Sequence, residues 1–258
     1  MTMDAVVVDV SQDWVDACDV QERFMQAPYS KMETLTTRAQ CRQMRALGGD
    51  CFDVLPLPGR RVALAIADAS GKGLAAALMI ANVQSSLRTA AAFAPNQAAA
   101  VVTAVNRQVH ASSPADRYAT LFYSVFEEGT RTLHYVNAGH NPPVVISGDS
   151  ITWLEDGGPP VGVFADSFYR AGTVELNPGD VIVAYTDGVV EAVNAAGEEW
   201  GVDGLIAAVA SVHTRQPDRI VEAAFAALSE FSRDRLTDDA TILVAAVNRS
   251  DDARSGRV

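Results

Sequence analysis

The sequence predicts an α+β fold in which antiparallel sheets are covered by helices. Three observations lead to it. Apolar runs of strand length recur in neighbouring pairs joined by turn-forming residues. Helical periodicities fall between blocks of strands instead of following each strand, which sets aside the βαβ order of a doubly wound fold. The chain has 258 residues of which 48% are apolar, enough to fill one large core. With no internal repeat and no interdomain linker, one domain is expected over residues 28–248. A helical segment at 1–27 precedes it and a polar tail at 249–258 follows.

Taken in order, the first element is a helix from about Ser11 to Gln26. Val10, Trp14, Ala17, Gln21 and Phe24 recur at spacings of 4, 3, 4 and 3, like the a and d positions of a heptad. Two heptads fit a dimerisation or docking helix, or a helix packed on its own domain; Pro28 closes the segment. From Leu35 to Ala67 the pattern is strand-like. Pro58-Gly59 supplies a preset φ and then a permissive turn residue, predicting two antiparallel strands. A long helix follows Gly73, with Leu74, Leu78, Ala81 and Ser85 as the face expected to meet a sheet, and Pro95 marks its end or the start of another running to about His110. YATLFYSVFE, RTLHYVNA, PPVVIS and SITWLE then read as an antiparallel meander, separated by EEGT, GHN and GDS. Strands at Ala171 to Leu176 and Val181 to Tyr185 are joined by the Asn177-Pro178-Gly179-Asp180 turn. Helices marked by Val202, Leu205, Ile206 and Val209, and by Ile220, Ala224, Leu228 and Phe231, precede a last strand, ATILVAAV.

Charge and cysteine usage narrow the function. Twenty Lys and Arg against thirty-two Asp and Glu leave a net charge of −12, which disfavours affinity drawn from phosphate backbones or anionic membranes. Neither a nucleic-acid nor a membrane partner is expected. Cys18, Cys41 and Cys51 fit neither a disulfide framework nor a zinc pattern. The amino terminus, MTMDAVVVDVSQDW, lacks the basic region of a signal peptide, and Leu74 to Val83 is about half the length of a bilayer crossing. A reducing, cytoplasmic location is the expectation.

The candidate chemistry lies in aspartates beside apolar runs: Asp50 and Asp53 in GGDCFD, Asp68 in IADASGKG, Asp187 in YTDGVVEA, and Asp238 and Asp239 in TDDATILV. Taken singly, each reads as a turn former or helix cap. If four of them converge, each pair at about 4 Å repels by roughly 4 kcal/mol at an effective dielectric near 20, and cations must offset that. Oxygen ligands with no local His or Cys suit hard ions such as Mg²⁺ or Mn²⁺ rather than zinc. Gly48, Gly49, Gly71, Gly73 and Gly188 lie within three residues of these aspartates; they either let backbone approach a ligand or simply make the hairpin turns.

In this order along the chain, GGDCFD, DASGKGLAAALM, YATLFYSVF, YVNAGHNPP, GGPPVGVF, PGDVIVAYTDGVVEA and DDATILVA resemble the SpoIIE/RsbU branch of the metal-dependent PPM (protein phosphatase 2C-like) serine/threonine phosphatases, over roughly Gln21 to Val247. The resemblance implies a four-layer α-β-β-α sandwich of two antiparallel sheets flanked by helices, with two divalent cations, Mn²⁺ or Mg²⁺, at one end. Carried over motif by motif, it implies Asp50, Asp68 (as the bridging ligand), the Ala69 carbonyl, Asp187 and Asp238 as metal ligands and catalytic residues. It places Asp53 and Asp239 further out, as water-mediated or supporting groups. GGDCFD shares three letters with the GGDEF box of diguanylate cyclases, whose fold has no place for the later blocks. SGKG lacks the spacing of a Walker A loop, so Lys72 reads as orienting the helix start or facing a partner. His140 reads as a turn residue before a general acid, and no motif selects a phosphate-clamping arginine among Arg38, Arg42 and Arg45.

The resemblance therefore implies hydrolysis of phosphoserine or phosphothreonine by metal-activated water, on a STAS-domain anti-sigma-factor antagonist or a similar signalling protein. Only about twenty residues precede QERFMQ, too few for a built-in sensor, so the expectation is control by a separate protein or by self-association through the first helix, constitutive activity, or a chain that is a fragment of a larger one. The rivals are a pseudo-phosphatase that binds partners without turnover, and a phosphatase for small phosphomonoesters.

Overall fold

The computed structural model describes residues 10–25 and 32–249. The predicted helix end at Gln26, its closing Pro28 and the polar tail beyond Arg249 lie outside those residues. The elements are α1 (Val10–Phe24), β1 (Leu35–Arg42), β2 (Asp50–Leu57), β3 (Arg61–Ala69), α2 (Leu74–Phe93), α3 (Ala98–Ser112), β4 (Ala119–Glu127), β5 (Thr132–Ala138), β6 (Val144–Ser147), β7 (Ser150–Trp153), β8 (Gly157–Gly158), β9 (Gly172–Glu175), β10 (Val181–Tyr185), α4 (Asp187–Val190), α5 (Gly201–Ala210), α6 (Pro217–Ser232) and β11 (Ala240–Val247). They form two sheets. One runs β1-β11-β10-β6-β7 and the other β2-β3-β4-β5-β8, with β9 pairing on β5.

Strand alternation explains the layers, because successive side chains point to opposite faces. On β2 and β3, Phe52, Val54, Leu64 and Ile66 turn inward and meet Ile182, Ala184, Leu243 and Ala245 of the facing sheet. The alternate residues Cys51, Ala63, Ala65 and Ala67 turn outward under α2 and α3, and their small side chains let α2 lie close to the sheet. On the far side, Val181, Val183, Ile242 and Val244 pack beneath α5 and α6. The result is the expected four-layer sandwich.

Four sequence expectations are corrected by this arrangement. The Leu35–Ala67 segment holds parts of three strands, and β1 pairs with β11 in the opposite sheet from β2 and β3. The four-strand meander splits: β4 and β5 pair in one sheet, while β6 and β7 pair in the other. Likewise β9 and β10 belong to different sheets, so the Asn177–Asp180 turn carries the chain from one to the other. Finally, α2 buries Ala76, Ile80, Val83, Leu87 and Ala91, while Leu74 and Leu78 are exposed. The predicted stripe lay beside the true one; the continuous apolar row at positions 76, 80, 83, 87 and 91 buries more area and decides which face turns inward.

Candidate active site

The β2–β3 hairpin sets the first two carboxylates. Its register makes Asp50 and Asp68 direct partners, at the end of the hairpin away from the Pro58-Gly59 turn. Both share the inward alternation of Phe52 and Ile66, so both face the other sheet. There Asp50 accepts hydrogen bonds from Thr186 Oγ1 at 2.8 Å and Thr241 Oγ1 at 2.6 Å. Those threonines stand at the ends of β10 and β11, and Thr241 N–H donates to Thr186 Oγ1 at 2.9 Å. Asp50 thereby ties the two sheets together and brings their strand ends to one place.

The neighbours of those threonines supply the remaining acids. Asp187 opens α4 directly after Thr186, and Asp238 lies on the approach to β11. A Cβ on Gly188 would overlap the Asp239 carbonyl, so only glycine permits this close passage of the two segments. The Ala69 backbone is fixed by its N–H donating to the Gly49 carbonyl at 2.9 Å. Asp50, Asp68, Ala69, Asp187 and Asp238 thus gather at one edge of the sandwich.

The electrostatics follow from this crowding. Burial raises Asp68 to about 7, and the charges of Asp187, Asp238 and Asp239 push in the same direction. Burial and the charge of Asp68 hold Asp50 well above the usual carboxylate range, against the two threonine bonds that lower it. Asp187 is raised by burial and by Asp238, with the Gly188 N–H and Lys72 opposing. Among the described residues, no group of three or more His, Cys, Asp or Glu side chains already surrounds one point as metal ligands. Asp50 is turned to its threonines, and Asp238 Oδ2 is held by Lys72 Nζ at 2.5 Å. The donor set nonetheless fits hard divalent cations: oxygen donors only, its carboxylates partly desolvated and mutually repelling until positive charge enters.

Two acids from the same motifs do other work. Asp53 is three residues from Asp50, an odd separation that turns it to the opposite face, where it is 1% exposed and paired with Arg88 Nε at 2.6 Å. Asp239 accepts from the N–H groups of Met44 and Gly49, each at 2.7 Å, and so fixes the loop that leads into Asp50. His140 is buried, its N–H donates to Asn137 Oδ1 at 2.7 Å, and burial pushes its ring down to about 4. Its Nδ1 lies 2.8 Å from Thr120 Oγ1, and Thr120 is the register partner of Asp68. This is the turn-holding role.

The same face logic sorts the arginines. Arg42 contacts Ser229 and lies over the Phe225 ring, and Arg38 pairs with Asp218, so both serve α6. Arg45 instead reaches the SGKG loop, where its Nη1 would lie 3.7 Å from a Cβ on Gly73. Sequence reasoning missed Thr186 and Thr241 because a buried threonine in an apolar strand has no motif of its own. It also missed Gln21, whose amide brackets Gly48 from α1: Nε2 donates to the Gly48 carbonyl at 2.8 Å and Oε1 accepts its N–H at 3.0 Å. A polar residue at a heptad core position was the available signal.

Two facing sheets, antiparallel but for the short β5–β8 pairing, between helical layers and with acids converging at one edge, define the protein phosphatase 2C class of fold. The SiaA-PP2C domain of Pseudomonas aeruginosa superposes with a TM-score of 0.81 at 19% identity, over 95% of this chain and all of that one. The RsbU and RsbW domains of a Mycobacterium tuberculosis protein superpose with a TM-score of 0.71 at 26% identity, over 83% of this chain and 62% of that one. The family described as Stage II sporulation protein E (SpoIIE) matches residues 58–248, and the chain belongs to it. Phosphoserine phosphatase RsbU of Bacillus subtilis is 26% identical over 194 residues, 74% of this chain and 57% of the relative. The chain spans 34% to 57% of the length of the first curated relatives it matches.

Proposed function

We propose that the chain is a phosphoprotein phosphatase that hydrolyses phosphoserine or phosphothreonine with two divalent cations, Mn²⁺ or Mg²⁺. The observation that carries this reading is the convergence of Asp50 and Asp68 from one sheet with Asp187 and Asp238 from the other. These four carboxylates and the Ala69 carbonyl would hold the ions. When bound, such ions acidify water and offset charge on phosphoryl oxygens. The chain's own part is to gather the carboxylates at one edge, with Asp50 and Asp238 held by chain groups until cations enter. Thr186 and Thr241 aim Asp50, the β2–β3 register fixes Asp68, and Asp239 holds the Gly48-Gly49 approach. Arg45, at the rim beside Gly73, is the candidate for steadying a phosphoryl group.

For substrate, the similarity to a phosphoserine phosphatase and to paired RsbU and RsbW domains supports a partner-switching client, a STAS-domain anti-sigma-factor antagonist. Control through α1 is supported by exposed apolar side chains, Trp14, Val15 and Val20, on a helix docked by Gln21; a regulator or a second copy would engage that helix. Among the described residues no helix is long and apolar enough to cross a membrane. The test is phosphate release from an aryl phosphate and from a phosphoserine STAS protein, with Mn²⁺, Mg²⁺ or chelator, in wild type and Asp187→Asn. Metal-dependent turnover lost in the variant is the expected result. A folded wild type inert with either metal would favour a binding module.

A further inference from the structure

The cluster contains a cation of its own. Lys72 sits between Gly71, at φ 93°, and Gly73, at φ 72°, both in the left-handed region that glycine enters freely. A Cβ on Gly71 would overlap Arg117 Nη1, which is itself donated to the Ser70 carbonyl at 2.9 Å, so the loop is braced from behind. This geometry sends Lys72 away from α2, whose start it does not cap, and across to the other sheet. Its Nζ donates to the Thr237 carbonyl at 2.8 Å and to Asp238 Oδ2 at 2.5 Å. The remaining oxygen, Oδ1, accepts the Asp239 N–H at 2.9 Å. Both oxygens of Asp238 are therefore engaged by the chain itself.

We propose that Lys72 is a displaceable counter-ion, holding Asp238 until a divalent cation takes that carboxylate and thereby setting how tightly the cation binds. This rests on the two-ion reading of the site. Asp53 and Arg88 mark the contrast: that carboxylate is 1% exposed and closed in under α2, whereas the side chains of Lys72 and Asp238 are 41% and 38% exposed. An ammonium on a flexible four-carbon stem at such a rim can swing into water at little cost. While it remains on Asp238 the ammonium also opposes entry of a divalent cation, so removing it strengthens binding. A lysine that merely orients Asp238 for the ion acts in the opposite direction, since its loss weakens binding.

The experiment measures Mn²⁺ affinity of the full chain by calorimetry and by the loss of the free-ion electron paramagnetic resonance signal, without substrate. Wild type, Lys72→Met, Lys72→Gln and Lys72→Arg are compared, with circular dichroism confirming the fold. The two neutral variants are expected to bind Mn²⁺ about tenfold more tightly, and the arginine variant to stay close to wild type. Equal or weaker binding by both folded neutral variants, beside a wild type that binds, overturns the counter-ion role alone. Absence of binding in wild type and variants overturns the two-ion reading, and the inference with it. Binding that appears only in the neutral variants supports it.

Discussion

Asp50 and Asp68 are register partners across the β2–β3 hairpin; burial raises both, the charge of Asp68 raises Asp50 further, and a hydrogen bond with Asp50 partly opposes the rise of Asp68. An acid whose folded pKa lies above its unfolded value binds more protons when folded. The stability it confers is complete below the unfolded value and is lost as pH rises through the folded one. For Asp68 that window runs from 3.8 to about 7. In chelator, the stability difference between wild type and Asp68→Asn is expected to shift against wild type by up to about 4 kcal/mol across it. Urea midpoints at intervals of pH measure this; a difference that does not change with pH refutes it.

His140 works in the same window with the opposite sign. Burial lowers its ring from 6.5 to about 4, so its contribution is complete above 6.5 and is lost as pH falls towards 4. Two and a half units correspond to roughly 3 kcal/mol. The two slopes offset one another in metal-free wild type. Replacing His140 with Gln is expected to unmask the carboxylates, giving a protein that is steadily more stable towards acid in chelator. A variant that still follows the wild-type pH profile would remove His140 from this account.

The pairing of the buried Asp53 with the partly exposed Arg88 is structural. Arg88 Nε lies 2.6 Å from Asp53 Oδ2, and Gln84 Nε2 approaches the same oxygen at 3.4 Å. Arg88→Ala strands a buried carboxylate and is expected to cost about 3–5 kcal/mol, whereas the double change Asp53→Ala with Arg88→Met recovers part of it. Because Asp53 faces α2, Mn²⁺ affinity of the folded double variant is expected to match wild type. A drop beyond tenfold in calorimetry would add Asp53 to the proposed metal ligands.

What was legible in the sequence divides along physical lines. Turn chemistry and apolar runs located nearly every strand and helix, because Pro58-Gly59 and Asn177–Asp180 act locally. Sheet membership was not legible: β1 and β2 adjoin in sequence, and nothing local says that Leu35 aligns with Val247 while Asp50 aligns with Asp68. The predicted ligands Asp50, Asp68, Asp187 and Asp238 share one edge. Asp53, expected as a water-mediated or supporting group, faces α2 instead, as its odd offset from Asp50 requires. The sequence reads Lys72 as orienting the helix start or facing a partner, because its reach across to Asp238 spans 166 positions and depends on the cross-sheet fold.

Gln21 extends the site into α1. Its amide pairs with both the N–H and the carbonyl of Gly48, and Gln43 Nε2 donates to the same Oε1 at 3.0 Å. Gly48 precedes the N–H that Asp239 holds and the strand that Asp50 begins. Gln21→Ala leaves two buried backbone groups without partners, at a cost of about 1–3 kcal/mol, or a fall in Tm of about 3–8 °C. Trp14→Ser, on the exposed part of the same helix, is expected to leave Tm within about a degree of wild type. If the bracket positions Asp50 as well as docking α1, Gln21→Ala also weakens Mn²⁺ binding several-fold at temperatures where the variant is fully folded, and Gln21→Glu, which keeps the acceptor, restores only the Gly48 N–H bond. Mn²⁺ titrations at 15 °C separate the roles: unchanged affinity beside a lowered Tm would confine Gln21 to docking, and unchanged values of both would show that the bracket contributes to neither.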